Sequence, residues 1–215
     1  MLRILSQALP EFGHVLYIHD QTSDQNFFVN TTLLRKSYED AYILREGETE
    51  ENMRLTSDDW IDCVGLETPP VLMTQQPKLR QIWDHIVGNL ILNPSIAVIQ
   101  IPSDLTFGRE HLLIPLAAFL LEYPVGYVPL NADQSTFLSN TPLDVYECVL
   151  EESGEEHTLL KFSCPQCVSQ SVARLAPDEV QRRLANRFQP RLEAVDYPGR
   201  LEILHTQENL PRVGL

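Results

Sequence analysis

From residue 77 onward the apolar positions fall into a regular pattern. Leu79, Ile82, Trp83, Ile86, Val87, Leu90 and Ile91 recur at steps of three and four, which predicts a helix with one continuous apolar stripe, opened by Pro77 at a position where a missing N–H is harmless. "SIAVIQIP" (95–102) is β-branched and does not alternate, so it predicts an interior strand covered on both faces. "SDLTFGRE" then reads as a loop, "HLLIPLAAFLLEY" as a helix kinked or begun at Pro115, and "VGYVPL" (125–130) as a second interior strand. Strand, helix and strand over this length form a parallel crossover unit. The expectation is that 96–101 and 125–130 lie side by side and run the same way.

Elsewhere the pattern is shorter in range. "HVLYIHD" (14–20), "NFFVN" and "AYILR" predict two strands and a third strand or helix, and residues 46–76, with Pro69-Pro70, read as an irregular excursion. "DVYECVLEE" and "HTLLKFS" flank Ser153-Gly154-Glu155-Glu156, a hairpin signal that sets Cys148 opposite about residue 160. "PDEVQRRLANRF" (177–188) predicts a helix with Val180, Leu184 and Phe188 on one face, and "RLEILHT" (200–206) a last strand. The sum is a single α/β domain over 1–215, with a mixed, partly parallel sheet, helices on both faces and an acidic excursion at about 46–76.

Charge narrows the function classes. Thirty acidic residues against 16 basic ones leave a net charge of -14, which repels phosphate backbones and anionic headgroups and sets nucleic acid and membrane surfaces aside as partners. Glu46, Glu48, Glu50, Glu51, Asp58, Asp59 and Asp62 share one stretch with only Arg54 opposing them. That stretch reads as a solvated loop, or as a docking strip for a basic protein partner. The start of the chain carries no secretory pattern and no run reaches the length of a membrane span, so a cytoplasmic or nuclear protein with reduced thiols is expected. Asn30-Thr31-Thr32 is then a glycosylation triplet out of reach of its machinery.

Cys164-Pro165-Gln166-Cys167 follows a strand pattern and precedes a polar stretch. Such a pair is redox-active when helix amides lower the first thiol's pKa, but too little chain follows it to complete a thioredoxin-like fold. With Cys148 and His157 it offers four zinc ligands, yet structural zinc sites present two close pairs. The preferred reading is buried thiols, with no metal and no cofactor. A triad of Cys63 with His14, His19, His85 or His111 as base and an acid as orienter is a chance assembly among six histidines and thirty acids, and no serine elbow, His-Glu-x-x-His helix or phosphate loop is present.

The expected crossover places a pocket beyond the carboxyl ends of its strands. Ser103, Asp104, Thr106, Gly108 and Arg109 would line one side, and Asn131, Asp133, Ser135, Asn140 and Thr141 the other. The plainer reading is a helix cap at Ser103 or Asp104, a surface pair for Arg109 and an ordinary polar connection after residue 130. His19-Asp20 closes the first β-rich run as a ligand pair in that crevice or as a capped surface turn.

"LLEYPVGYVPLNADQSTFLSNTPLDVYECVL", "LLKFSCP" (159–165) and "NLPRVGL" (209–215) resemble a eukaryotic family of uncharacterised proteins that includes human chromosome 1 open reading frame 74. The likeness covers residues 77–215. It implies no activity, cofactor or catalytic residue, so no role passes to any position here.

The reading that results is a non-catalytic protein-binding module. Its alternatives are a small-molecule hydrolase or transferase with a pocket between 103–109 and 131–141, and a thiol redox protein using Cys164 and Cys167.

Overall fold

The computed structural model describes residues 14–34, 61–73, 77–93, 96, 98–106, 113–130 and 138–210. In chain order the elements are strands β1 (Val15–Asp20), β2 (Gln25–Asn30), β3 (Asp62–Gly65) and β4 (Val71–Leu72), helix α1 (Pro77–Leu92), strand β5 (Val98–Ile101), helices α2 (Ser103–Thr106) and α3 (Leu113–Leu120), strands β6 (Val125–Val128), β7 (Pro142–Glu152) and β8 (Glu155–Pro165), helices α4 (Gln166–Ser169) and α5 (Pro177–Ala194), and strand β9 (Arg200–Asn209). The described residues form two compact units, one from 1–63 and 73–122 and the other from 64–72 and 123–215. "AYILR" and the acidic residues from Glu46 to Asp59 lie outside the described residues.

Helices and strands mix as an α/β chain requires, but among the described residues the strands form three sheets of three rather than one, ordered β2-β1-β5, β4-β3-β6 and β8-β7-β9. The first is mixed, with β1 antiparallel to β2 and parallel to β5. This corrects the expected crossover: β5 pairs with β1, and β6 belongs to the sheet of β3 and β4. Strand length and apolarity select a buried edge but do not choose its partner, and a segment 80 residues upstream supplies the register Ile18 to Ile99 and Asp20 to Ile101. Nor is β5 covered on both faces. Ile99 and Ile101 are buried while Val98 and Gln100 are exposed, so a run that looks continuous in sequence alternates in place.

In the first unit, α1 packs on β5 with Leu79, Ile82, Trp83, Ile86, Val87 and Leu90 buried. Ile91, counted in the stripe, is 56 % exposed, as the penultimate residue of the helix. The Trp83 and Phe119 rings meet edge to face at 4.4 Å and join α1 to α3. Pro115 is the third residue of α3, where its absent N–H has no intrahelical partner to lose.

The second unit carries the larger core. β7 is central and buried on both faces, and Val64, Val125, Tyr146, Phe162, Val168, Leu184 and Phe188 join one apolar cluster around it. The hairpin forms as read, with Cys148 opposite Leu160. Ser153 and Gly154 both take positive φ, 54° and 85°, as a two-residue turn matched to strand twist demands. A register shift between Cys148 and Val149 leaves Leu159 as the extra residue. Helix α5 buries Val180, Leu184 and Phe188 but runs six residues past Phe188 and through Pro190, beyond the predicted end. The excursion also has structure: β3 and β4 pair antiparallel around a cis Thr68–Pro69 bond, and Asp62, placed in the solvated strip by sequence, is buried.

Candidate functional site

The carboxyl ends of β1 and β5 meet where the pocket was sought, with a different neighbour. Asp20 is fully buried. Its Oδ1 accepts the Thr106 hydroxyl at 2.7 Å, and its Oδ2 accepts the Ser23 N–H and hydroxyl at 2.9 and 2.7 Å. Thr22 Oγ1 lies 2.8 Å from Thr106 Oγ1. Here the strand alternation that buries Leu16 and Ile18 also buries Asp20, and the Asp-x-x-Ser turn supplies donors to satisfy it. Asp20 thus caps a turn, as one reading held, but inside the protein rather than at its surface.

Thr106 is bound to Asp20, while Ser103 and Asp104 are exposed on α2. Arg109, Asn131 and Asp133 lie outside the described residues, as do Gly108 and Ser135. Strands β5 and β6, whose carboxyl ends were expected to flank the pocket, belong to different sheets. Thr22 and Ser23 were missed by sequence reading, although "DQTSDQ" carries the turn-forming signal for them.

A second buried carboxyl group organises the second unit. Asp144 Oδ2 accepts the Ser169 hydroxyl at 2.5 Å, and Oδ1 lies 2.9 Å from His205 Nε2 and 3.4 Å from Gln207 Nε2. Cross-strand register explains the set. Asp144 stands opposite Cys164 and Gln207, and Tyr146 opposite Phe162 and His205, so all six project from one face. The Tyr146 ring stacks between Phe162 and His205, each at 5.0 Å. Its hydroxyl is buried and accepts or donates no hydrogen bond. Burial first, then Asp144 and Cys164, pushes the phenol far above its ordinary value.

A carboxyl group bound to an imidazole is the orienting half of a nucleophilic triad. Ser169, however, turns its hydroxyl to Asp144 rather than to the imidazole, and is buried. The network locks β7, α4 and β9 together. Its members are up to 63 residues apart in sequence, and only the period-two spacing of Asp144, Tyr146 and Cys148 marks them as sharing a face.

The thiols are placed against redox chemistry. Cys164 is 0 % exposed in the core, facing Asp144 on the strand side of the motif, and Cys167 alone of the four is exposed. An attacking first thiolate needs access and a helix N-terminus; Cys164 is the penultimate residue of β8 and buried in the core, which argues against the redox reading. Its partner's thiol donates to the Pro70 carbonyl at 3.7 Å. Burial raises Cys63 to about 12, with Asp62 adding to it, and burial raises Cys148 to about 11, so neither is a nucleophile near neutral pH. Cys148 and Cys164 are separated along the ladder and His157 sits near the hairpin tip beside Glu155 at 3.8 Å. Among the described residues no three metal-ligating side chains cluster.

Open surface is found on the first sheet. Phe28, Tyr17 and Val98 form one cross-strand row, with Phe28 57 % and Val98 48 % exposed. The next row is Asn26, His19 and Gln100. Tyr17 stacks on His19 at 6.2 Å and tilts against Phe28 at 5.3 Å. Asn26 Oδ1 accepts the Tyr17 hydroxyl and lies 2.9 Å from His19 Nδ1. Asn26 thereby ties the Tyr17 and His19 side chains together.

The chain is thus an α/β protein whose described residues include two internally satisfied carboxyl clusters and an open aromatic sheet face. A family model described as "Domain of unknown function (DUF4504)" matches residues 61–204, well over half the chain, and the chain belongs to that family. No curated protein and no solved structure matches it. No helix among the described residues is long and apolar enough to cross a membrane.

Proposed function

We propose that this chain is a non-catalytic protein-binding module whose anchor is the open face of the β2-β1-β5 sheet. One observation carries the reading: Phe28, Tyr17 and Val98 form a cross-strand row with Phe28 and Val98 open to solvent, in which Tyr17 is tied to Asn26 and packs against Phe28. Rigid aromatic anchors of this kind dominate interface energetics because little side-chain entropy is lost on docking. The partner that fits is a protein with an apolar patch ringed by lysine and arginine, since a net charge of -14 speeds its approach and disfavours acidic competitors. The acidic strip from Glu46 to Asp59 supports the same charge preference. Kinship with the family that includes human chromosome 1 open reading frame 74 is proposed on the same footing, supported by the overlap of the matched span with residues 77–204.

The test is capture of partners by the full chain and by a Phe28→Ser/Val98→Ser variant with an unchanged melting curve. The expected result is one basic protein held by the parent, released by salt and lost by the variant. Neutralising Glu46, Glu48, Glu50 and Glu51 should weaken the same complex, and unchanged binding removes the strip from the reading. Identical capture by parent and sheet variant overturns the docking face. Concentration-dependent dimers abolished by the sheet variant would instead make a second copy the partner.

A further inference from the structure

The second unit carries a groove of about 510 Å³ where α5 gives way to β9. Asp196 takes a positive φ of 49°, and the N–H groups of Val195, Asp196 and Tyr197 turn back onto the carbonyls of Leu192 and Glu193. The chain therefore stops the helix sharply and leaves its negative dipole end at the groove. Glu193 and Asp196 are exposed along one wall, Leu192 and Leu201 supply apolar surface, and Tyr197 lies over Gly199. An added Cβ at Gly199 would fall 2.7 Å from the Tyr197 ring, so that glycine is what lets the ring sit there.

The groove has one lining cation, Arg200, and its charge is already met. Its Nη2 lies 2.9 Å from Glu151 and 3.5 Å from Glu202. Arg200 is thus paired outside the groove lining, while Glu193, whose Oε1 accepts a hydrogen bond from Gln189 Nε2 at 3.2 Å, and Asp196 leave two carboxylates in the lining itself. The Tyr197 phenol is held above its ordinary value by burial and then by Glu152, in keeping with a negative local field.

We propose that this groove receives an arginine side chain presented by the partner protein, with the guanidinium lying on Tyr197 and paired with Glu193 and Asp196. The inference rests on the protein-binding reading and names the chemistry of the bound segment. Volume and lining both suit it: the space is within the range of side-chain and ligand pockets, an aromatic face attracts a weakly hydrated planar cation, and carboxylates match its fork of donors. Lysine satisfies only the charge.

The probe is a doubly blocked pentapeptide, Gly-Arg-Gly-Arg-Gly, titrated into the full chain and followed by amide chemical shifts. Shifts should centre on Tyr197, Gly199 and Leu201. The Glu193→Gln/Asp196→Asn variant should raise Kd about fivefold, the sum of two modest exposed ion pairs, whereas Glu155→Gln/Glu156→Gln, which removes the same charge at the hairpin tip, should leave it unchanged. Replacing arginine by lysine in the peptide should weaken binding. Equal weakening by both double variants, or shifts centred elsewhere, reduces the effect to general attraction and overturns the groove. Phe28→Ser separates the two proposals: it should leave peptide binding intact, so loss of partner capture with intact peptide binding concerns only the sheet face, and the converse concerns only the groove.

Discussion

Asp144 Oδ1 lies 2.9 Å from Nε2 of His205, and this contact joins the central strand of a sheet to its edge strand. The same carboxyl group holds Ser169 at 2.5 Å, so one buried side chain fixes three elements. Asp144→Ala should therefore destabilise the fold by about 2–3 kcal/mol, because a buried carboxylate serving Ser169, His205 and Gln207 is lost and the Ser169 hydroxyl keeps only the longer contact to the Gln166 carbonyl at 3.3 Å. His205→Ala, which removes a half-buried partner, should cost about 1 kcal/mol. Urea unfolding of both variants measures the order; a larger loss for His205→Ala would place the weight on ring stacking with Tyr146 instead.

Two buried tyrosines should respond oppositely to loss of their hydroxyls. The Tyr146 hydroxyl has no hydrogen-bond partner, so Tyr146→Phe should be neutral or stabilise by about 1 kcal/mol. Tyr127 donates to the Ser163 carbonyl at 2.9 Å, and Tyr127→Phe should destabilise by about 1 kcal/mol. Thermal melts of the pair give the comparison directly.

Thiol accessibility makes a third expectation. In the native protein Cys167 should react with a thiol reagent, and Cys63, Cys148 and Cys164 only on unfolding, since those three are buried. Cys167→Ser should abolish the native signal. The sign of the pH dependence follows from the same burial: an unfolded thiol ionises near 9.0, while folded Cys148 and Cys63 ionise near 11 and 12. Below about pH 9 both states hold the proton and the contribution is complete. Above it the unfolded chain releases protons that the folded chain retains, so stability falls as pH rises. Cys63→Ala should flatten that fall in pH-dependent unfolding curves.

Gly199 should tolerate no side chain. A Cβ there would lie 2.1 Å from the Glu151 carbonyl oxygen, a contact with backbone that a rotamer change cannot relieve. Gly199→Ala should destabilise by about 1–3 kcal/mol and move the Tyr197 ring, visible in its aromatic proton shifts. Gly88, with nothing within 4 Å of an added Cβ and a helical position, should instead gain up to about 1 kcal/mol on substitution by alanine.

Much of the fold was legible because its signals are local. The helical stripe from Leu79 to Leu90, the face of Val180, Leu184 and Phe188, and the Ser153-Gly154 hairpin with Cys148 opposite Leu160 each depend on a repeat or turn within a few residues. Helix α5 runs past its predicted end and through Pro190, a residue that ordinarily breaks a helix, along a stretch of chain that packs on β9.

The sequence by itself determined an α/β chain, its acidity, the hairpin register and the burial of most apolar stripes, since side-chain period and turn chemistry act over one or two turns of chain. Only the tertiary structure decided that β5 pairs with β1 rather than β6, that Asp20 meets Thr106 and that Asp144 meets Ser169 and His205. Strand edges are chemically alike, so the choice among them rests on how whole faces fit, and a polar residue's partner is whichever side chain that fit brings within reach.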